Sequence, residues 1–221
     1  MNKVKRWILL SALLVMTLLT SGCLMGTETV KIEYLPDFQA QKLFDDYQPT
    51  IAVNRFWDER SSTDRVGEGY NMYGGKIETW KSDKPPADVI EEALVRQLEN
   101  AGFKVIRTSG WDLTAEGIPE YLSADAIMGG RLKMFWVESR PGIFTVSVNS
   151  NVTFDLFLAD VKTKRVIWAG QFRGEELKEA VIRTHSHMAD AINSSLSSAV
   201  NKVFQDDSLR EQFIRLGEIK F

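Results

Sequence analysis

The sequence predicts an α+β fold: a two-layer domain with helices packed on one face of an antiparallel sheet of four or five strands. Three observations predict it. First, the stretch TVSVNSNVTFDLFL puts Val146, Val148, Val152, Phe154, Leu156 and Leu158 on one side of a strand. Thr145, Ser147, Asn149, Asn151, Thr153 and Asp155 fall on the other side, and this period of two marks a half-covered antiparallel strand. Second, strands with the same two-faced pattern precede and follow it. Third, Met188, Ile192, Leu196, Ala199, Val200, Val203 and Phe204 form one helical stripe, which supplies the cover.

In chain order, TIAVNRFWDER opens as a strand in which Ile51 and Val53 alternate with Ala52 and Asn54. A glycine-rich stretch, SSTDRVGEGYNMYGGKIETWKSDKPP, follows. Its Gly74-Gly75 pair, flanked by Tyr73 and Ile77, predicts a two-residue hairpin turn. Pro85 and Pro86 suit the first turn of a helix. Val89, Ile90, Ala93, Leu94, Leu98 and Ala101 continue it with one polar interruption at Gln97, and Gly102 is the expected stop. FKVIRT is a strand, and WDLTAEGIPEYLSAD is a short helix or turn. In DAIMGGRLKMFWVES, Ala126, Met128, Leu132, Met134 and Trp136 share the core face. Val166, Trp168 and Phe172 repeat the pattern after the Lys162-Thr163-Lys164 turn. A last short helix carries Leu209, Phe213, Ile214 and Leu216.

The N-terminus is of another kind. Lys3, Lys5 and Arg6 precede an apolar run from Trp7 to Leu19, too short to span a bilayer as a helix, which needs roughly 20 residues. Small residues follow, the composition of a cleavable secretion signal. Leu19-Thr20-Ser21-Gly22-Cys23 resembles a bacterial lipobox, with Thr20 departing from the commoner leucine. The resemblance implies that Cys23 becomes the mature N-terminus, diacylglyceryl-modified at sulfur and acylated at nitrogen, and that the chain is anchored to membrane. In the sorting rule attached to such motifs, Leu24 in place of aspartate points to the outer rather than the inner membrane. The expected organisation is a signal peptide over 1–22, a lipid-anchored tether and N-terminal segment over 23–48, and one periplasm-facing α+β domain over 49–221.

Cys23 is the chain's 1 cysteine, so no intramolecular disulfide is available. The 27 Lys+Arg against 30 Asp+Glu give a formal charge of −3, and losing the signal removes cations only. Mild acidity argues against nucleic-acid partners.

Catalytic constellations are poorly represented. His185 and His187 are the 2 histidines, in a turn before a helix where Ser186 suits a cap. They lack a third ligand at a metal-binding spacing. No Gly-x-Ser-x-Gly elbow occurs, and Gly67-x-Gly69 and Gly74-Gly75 lack the setting of a phosphate loop. Asp58-Glu59 and Glu91-Glu92 are sequence neighbours, with the helical pair on a solvated face. No cofactor, metal or catalytic residue is expected, and the chain reads as a non-enzyme. Two candidate surfaces remain: the hairpin residues Tyr70, Met72, Tyr73, Ile77 and Trp80, and the polar strand face from Thr145 to Thr153. The hairpin aromatics suit either a partner- or lipid-binding edge or a seal over the sheet.

HMADAINSSLSSAVNKVFQDDSLREQFIR resembles the closing segment of the YajG-like lipoproteins, with their Asp-Ala-(Ile/Val)-Asn helix, acidic Gln-Asp turn and short terminal helix. VIEEALVRQLENAGFKV is similar to their mid-chain helix and strand. RSSTDRVGEGYNMYGGKIETWKSD is closer to the auxiliary lipoproteins of ABC-type transport systems, where an aromatic hairpin also precedes a Pro-initiated helix. Both resemblances imply an anchored α+β lipoprotein. The first implies a protein that binds envelope partners or supports envelope integrity; the second implies an auxiliary subunit of a lipid-handling transporter.

Overall fold

The structure is a computed structural model and describes residues 26–36, 38–44, 48–181 and 185–218. Its strands are β1 (Gly26–Val30), β2 (Thr50–Asn54), β3 (Trp57–Asp58), β4 (Gly67–Tyr70) and β5 (Lys76–Ser82). Helix α1 (Pro86–Asn100) leads to β6 (Lys104–Thr108), β7 (Ala126–Pro141), β8 (Val146–Asp160) and β9 (Arg165–Ala180). Helices α2 (His185–Gln205) and α3 (Asp207–Glu218) close the described chain.

The fold is α+β, but the sheet has 9 strands and is mixed, not the expected four- or five-stranded antiparallel one. Strand β7 organises it. One edge of β7 runs antiparallel along β8, which pairs antiparallel with β9. Its other edge takes three short parallel partners in turn: β2 beside its start, β3 beside Arg131 and Leu132, and β4 beside 137–139. Parallel β6 extends the β2 side, while β5 and then β1 extend the β4 side. Strands β2 and β6 fall where the sequence predicts them, whereas the two-residue β3 and the GTETV of β1 carry no alternation.

All three helices among the described residues pack against one sheet face, in a core that joins Ile90, Leu94 and Leu98 of α1 to Leu196, Val200 and Val203 of α2. Helix α1 begins at Pro86 as expected and ends where Gly102 adopts φ +95, with the Phe103 N–H donating to the Leu98 carbonyl. Close approach of α2 needs a bare strand position. A Cβ at Gly174 of β9 would sit 1.9 Å from the Ser195 carbonyl oxygen.

Two bulges shift the predicted faces. Register slips between Leu132 and Met134, so Lys133 is extra to the ladder. Phe135 and Val137 therefore enter the core, while Met134 is 45% exposed and Trp136 only half-buried. A second slip, between Leu158 and Ala159, frees Val166 from the row of Trp168 and Phe172 and leaves it exposed. Strand β8 keeps the expected alternation, with Val148, Val152, Phe154, Leu156 and Leu158 all buried.

The far sheet face is not wholly wet. Loop 109–124 folds over one end of it and builds a second core from Trp111, Leu113 and Ile118 against Ala52, Ile127 and Ala159. Asn54 fastens the loop: its Nδ2 donates to the Trp111 carbonyl, and its Oδ1 accepts from the Trp111 N–H at 3.1 Å.

Candidate functional site

The candidate hairpin is β4–β5. Its turn is not the two-residue Gly74-Gly75 turn. The Gly74 N–H donates to the Asn71 carbonyl, Gly74 takes φ +80, and Asn71 Oδ1 accepts from the N–H groups of Tyr73 and Gly75. Asn71, Met72, Tyr73 and Gly74 thus make a four-residue turn with glycine in the left-handed position. The five candidate residues separate into two sets. Trp80 is fully buried, and Tyr70 is half-buried on the opposite face. Met72 is 69% exposed and Tyr73 98%, both at the tip, while Ile77 lies at 36% on the outer face.

Gly67 explains the position of Trp80. A Cβ there would meet the Val137 carbonyl oxygen at 2.1 Å and the Trp80 ring at 2.9 Å, so the indole occupies space that only glycine leaves. Behind the tip, Glu68 ties the hairpin together. It is buried, yet its carboxylate receives Lys76, Arg65 at 3.3 Å and the Tyr70 hydroxyl at 2.7 Å. Burial pushes the Glu68 carboxyl up, and the Lys76 and Tyr70 hydrogen bonds with the nearby cations outweigh it, holding it below its ordinary value. The hydrogen bond to Glu68 holds the Tyr70 hydroxyl above its ordinary value. Arg140 of β7 lies over the Tyr70 ring, 4.5 Å from its centre, and bonds Glu138 at 2.9 Å. The hairpin is therefore fixed to β7 up to its last strand residue, with the tip left bare.

Helix α2 carries a function its apolar stripe does not show. Asn193, Ser197 and Asn201 lie one turn apart and hold the segment that follows β1. Asn193 Oδ1 accepts from the Glu33 N–H, Ser197 Oγ from the Leu35 N–H, and Asn201 Oδ1 from the Tyr34 hydroxyl. From α1, the buried Gln97 accepts from the Ala40 N–H and donates to the Phe38 carbonyl, both at 2.9 Å. The one polar residue in the predicted stripe of α1 is thus the other half of this clamp.

Glu91 is not on a solvated face. It is 8% exposed and receives Arg107 Nη1 at 2.6 Å, whereas Glu92 is exposed. Burial, stronger than the opposing charge of Arg107, pushes its carboxyl above the ordinary value. Both histidines fall within α2, since the helix starts at His185, so Ser186 is inside the helix rather than capping it. The side chain of His185 lies outside the described residues, as does Cys23. Among the described residues no group of three or more His, Cys, Asp or Glu is placed to hold a metal ion. A cavity of about 230 Å³ opens between segment 38–43, α2 and α3. The candidate polar face, Thr145, Ser147, Asn149, Asn151 and Thr153, is half-buried or exposed, with Thr153 donating to Asn151 at 2.8 Å.

No protein-family profile matches the chain, and no curated protein matches it. Among solved structures it is similar to protein XCC0632 from Xanthomonas campestris, of family DUF330. The two are 12% identical with a TM-score of 0.53, over 87% of this chain and 96% of that one. It is also similar to lipoprotein GNA1162 from Neisseria meningitidis, 13% identical with a TM-score of 0.39 over 72% of this chain and 99% of that one. A third is the PelC dodecamer from Paraburkholderia phytofirmans, 14% identical with a TM-score of 0.38 over 70% and 87% of the chains. The likeness to the Xanthomonas protein is one of fold. Among the described residues no helix is long and apolar enough to cross a membrane.

Proposed function

We propose that the protein is a lipoprotein of the bacterial envelope, acylated at Cys23, facing the periplasm and held at the outer rather than the inner membrane. Its role is to bind envelope partners or support envelope integrity, without catalysis, metal or cofactor. The single observation that carries this is the position of the lone cysteine. It closes a lipobox-like LTSGC after a signal-like leader and lies just before the first strand, at Gly26. Two or more acyl chains give stable anchoring where one gives only marginal binding. The YajG-like resemblance of the C-terminal segment supports the same assignment.

A second reading makes the protein an auxiliary subunit of an ABC-type, lipid-handling transport system. It is favoured by the bare tip residues Met72 and Tyr73 on a hairpin that precedes a Pro-initiated helix.

Affinity purification of the full-length tagged protein from gently solubilised envelopes tests both, with Cys23→Ser as control and mass spectrometry of proteins and lipids as readout. The first reading predicts a lipid-anchored protein with envelope proteins other than transporter subunits, or with none. Stoichiometric permease and ATPase subunits would contradict it and establish the second.

A further inference from the structure

Two exposed hairpin tips of the sheet, β4–β5 and β7–β8, lie at one end. Strand β4 runs parallel to β7 in the register Gly67↔Val137 to Gly69↔Ser139, so the turn after Tyr70 leaves beside the turn after Pro141. Arg140 over the Tyr70 ring fixes that level. The β4–β5 turn offers Met72 and Tyr73, 69% and 98% exposed; the β7–β8 turn offers Ile143 and Phe144, 82% and 85% exposed. Ala180 of β9 pairs with Val146, which brings Val181, 80% exposed, to the same end. Neither turn, 71–75 or 142–145, contains a charged residue. The first charges behind them are the cations Lys76 and Arg140, paired with Glu68 and Glu138. Solitary exposed apolar residues are ordinary, but five gathered from three segments are not. The opposite end, where β8 turns into β9, is Lys162-Thr163-Lys164, with Tyr121 as a solitary exposed ring on the neighbouring loop.

The described chain begins at that same apolar end. Strand β1 is parallel to β5, with Gly26 opposite Glu78, two residues from Lys76 at the hairpin end of β5. Three peptide units reach at most about 11 Å. Cys23 is thus bound to stay within that distance of Gly26, the residue that starts β1.

We infer that Met72, Tyr73, Ile143, Phe144 and Val181 form a membrane-contacting crown that enters the interfacial layer of the bilayer holding the Cys23 lipid. This rests on the acylation proposed above. An anchor three residues from β1 keeps the sheet close to the bilayer, and the turns at this end of the sheet are uncharged and apolar. Aromatic and aliphatic tips flanked by cations suit the boundary between headgroups and acyl chains. The sheet then stands on the membrane, with its β8–β9 turn pointing into the periplasm.

The test uses the full-length protein as processed in the cell, purified and reconstituted into phosphatidylethanolamine–phosphatidylglycerol vesicles. Nitroxide labels go on single cysteines added as Tyr73→Cys, Phe144→Cys or Thr163→Cys; acylated Cys23 takes no label. Power saturation compares collision with oxygen, which prefers the bilayer, and with a water-soluble nickel complex. The oxygen-to-nickel ratio is expected to be several-fold higher at 73 and 144 than at 163. Ratios at 73 and 144 equal to that at 163, in protein that floats with the vesicles, would overturn the crown while leaving acylation standing. Strong spin–spin coupling between labels at 73 would also overturn it, by showing that a second copy covers the tip. A wild-type protein that takes up label and stays out of the vesicles would overturn acylation, and the crown with it.

Discussion

Trp80 and Tyr73 belong to one hairpin, yet the first is fully buried and the second is 98% exposed. The indole fills the space left by Gly67, so Trp80→Ala should cost about 3–5 kcal/mol of unfolding free energy. Tyr73→Ser should stay within about 0.5 kcal/mol of wild type. Urea denaturation checks both, and a large loss at Tyr73 would show that the tip packs on the core. Glu91 yields a pH dependence. Its carboxyl is raised by burial against the pull of Arg107, so the folded chain holds a proton at a pH where the unfolded chain has lost it. Stability on its account is fully present below the ordinary carboxylate value and is lost as pH rises through the raised folded one. Glu91→Gln removes that loss. Melting temperatures of variant and wild type, followed against pH, should shift in favour of the variant as pH rises through this range. Glu68 is lowered and has the opposite sign, its contribution disappearing as pH falls through the folded value.

At the scale of elements, legibility followed the length and regularity of each pattern. Helices α1 and α2 showed their stripes, and Pro86 and Gly102 mark the ends of α1 because backbone geometry demands them there. Strand β8 was legible because it carries one clean alternation. Strand β7 was legible only to Leu132. An extra residue at Lys133 reverses the phase, and both phases beyond it are apolar, Met134 and Trp136 in one and Phe135 and Val137 in the other. Periodicity cannot choose between them. The structure does, and a paired truncation tests the choice: Phe135→Ala should lose about 3–5 kcal/mol. Met134→Ala should lose less than about 1 kcal/mol, the ordinary range for a half-exposed site. Chemical denaturation would contradict the bulge if the two losses were equal. Strands β1 and β3 were illegible for a different reason. They are short, and pairing with β7 or β5 rather than their own pattern makes them strands.

For the whole molecule, what the chain brings together at long range was least visible in advance. Nothing in the order of residues says that turn 71–75 will stand beside turn 142–145; the parallel register of β4 with β7 says so. The same holds for the clamp, where Gln97, Asn193, Ser197 and Asn201 converge on segment 33–40 from two helices. Gln97 left a trace, a polar residue in an apolar stripe, whereas the α2 residues look like any solvated helix face. The proposal for Cys23 draws on local sequence alone, on the leader and the small residues before it. The clamp fastens the N-terminal segment to both helices, and with the proposed Cys23 anchor and the proposed membrane-facing sheet end it would make one arrangement. The most direct test of its foundation is the intact mass of the protein extracted from membranes, with fragmentation of its N-terminal peptide. The prediction is a chain that begins at Cys23 and carries a diacylglyceryl group and an N-acyl chain. A chain that keeps residues 1–22, or that begins near Cys23 with an unmodified thiol, would contradict it.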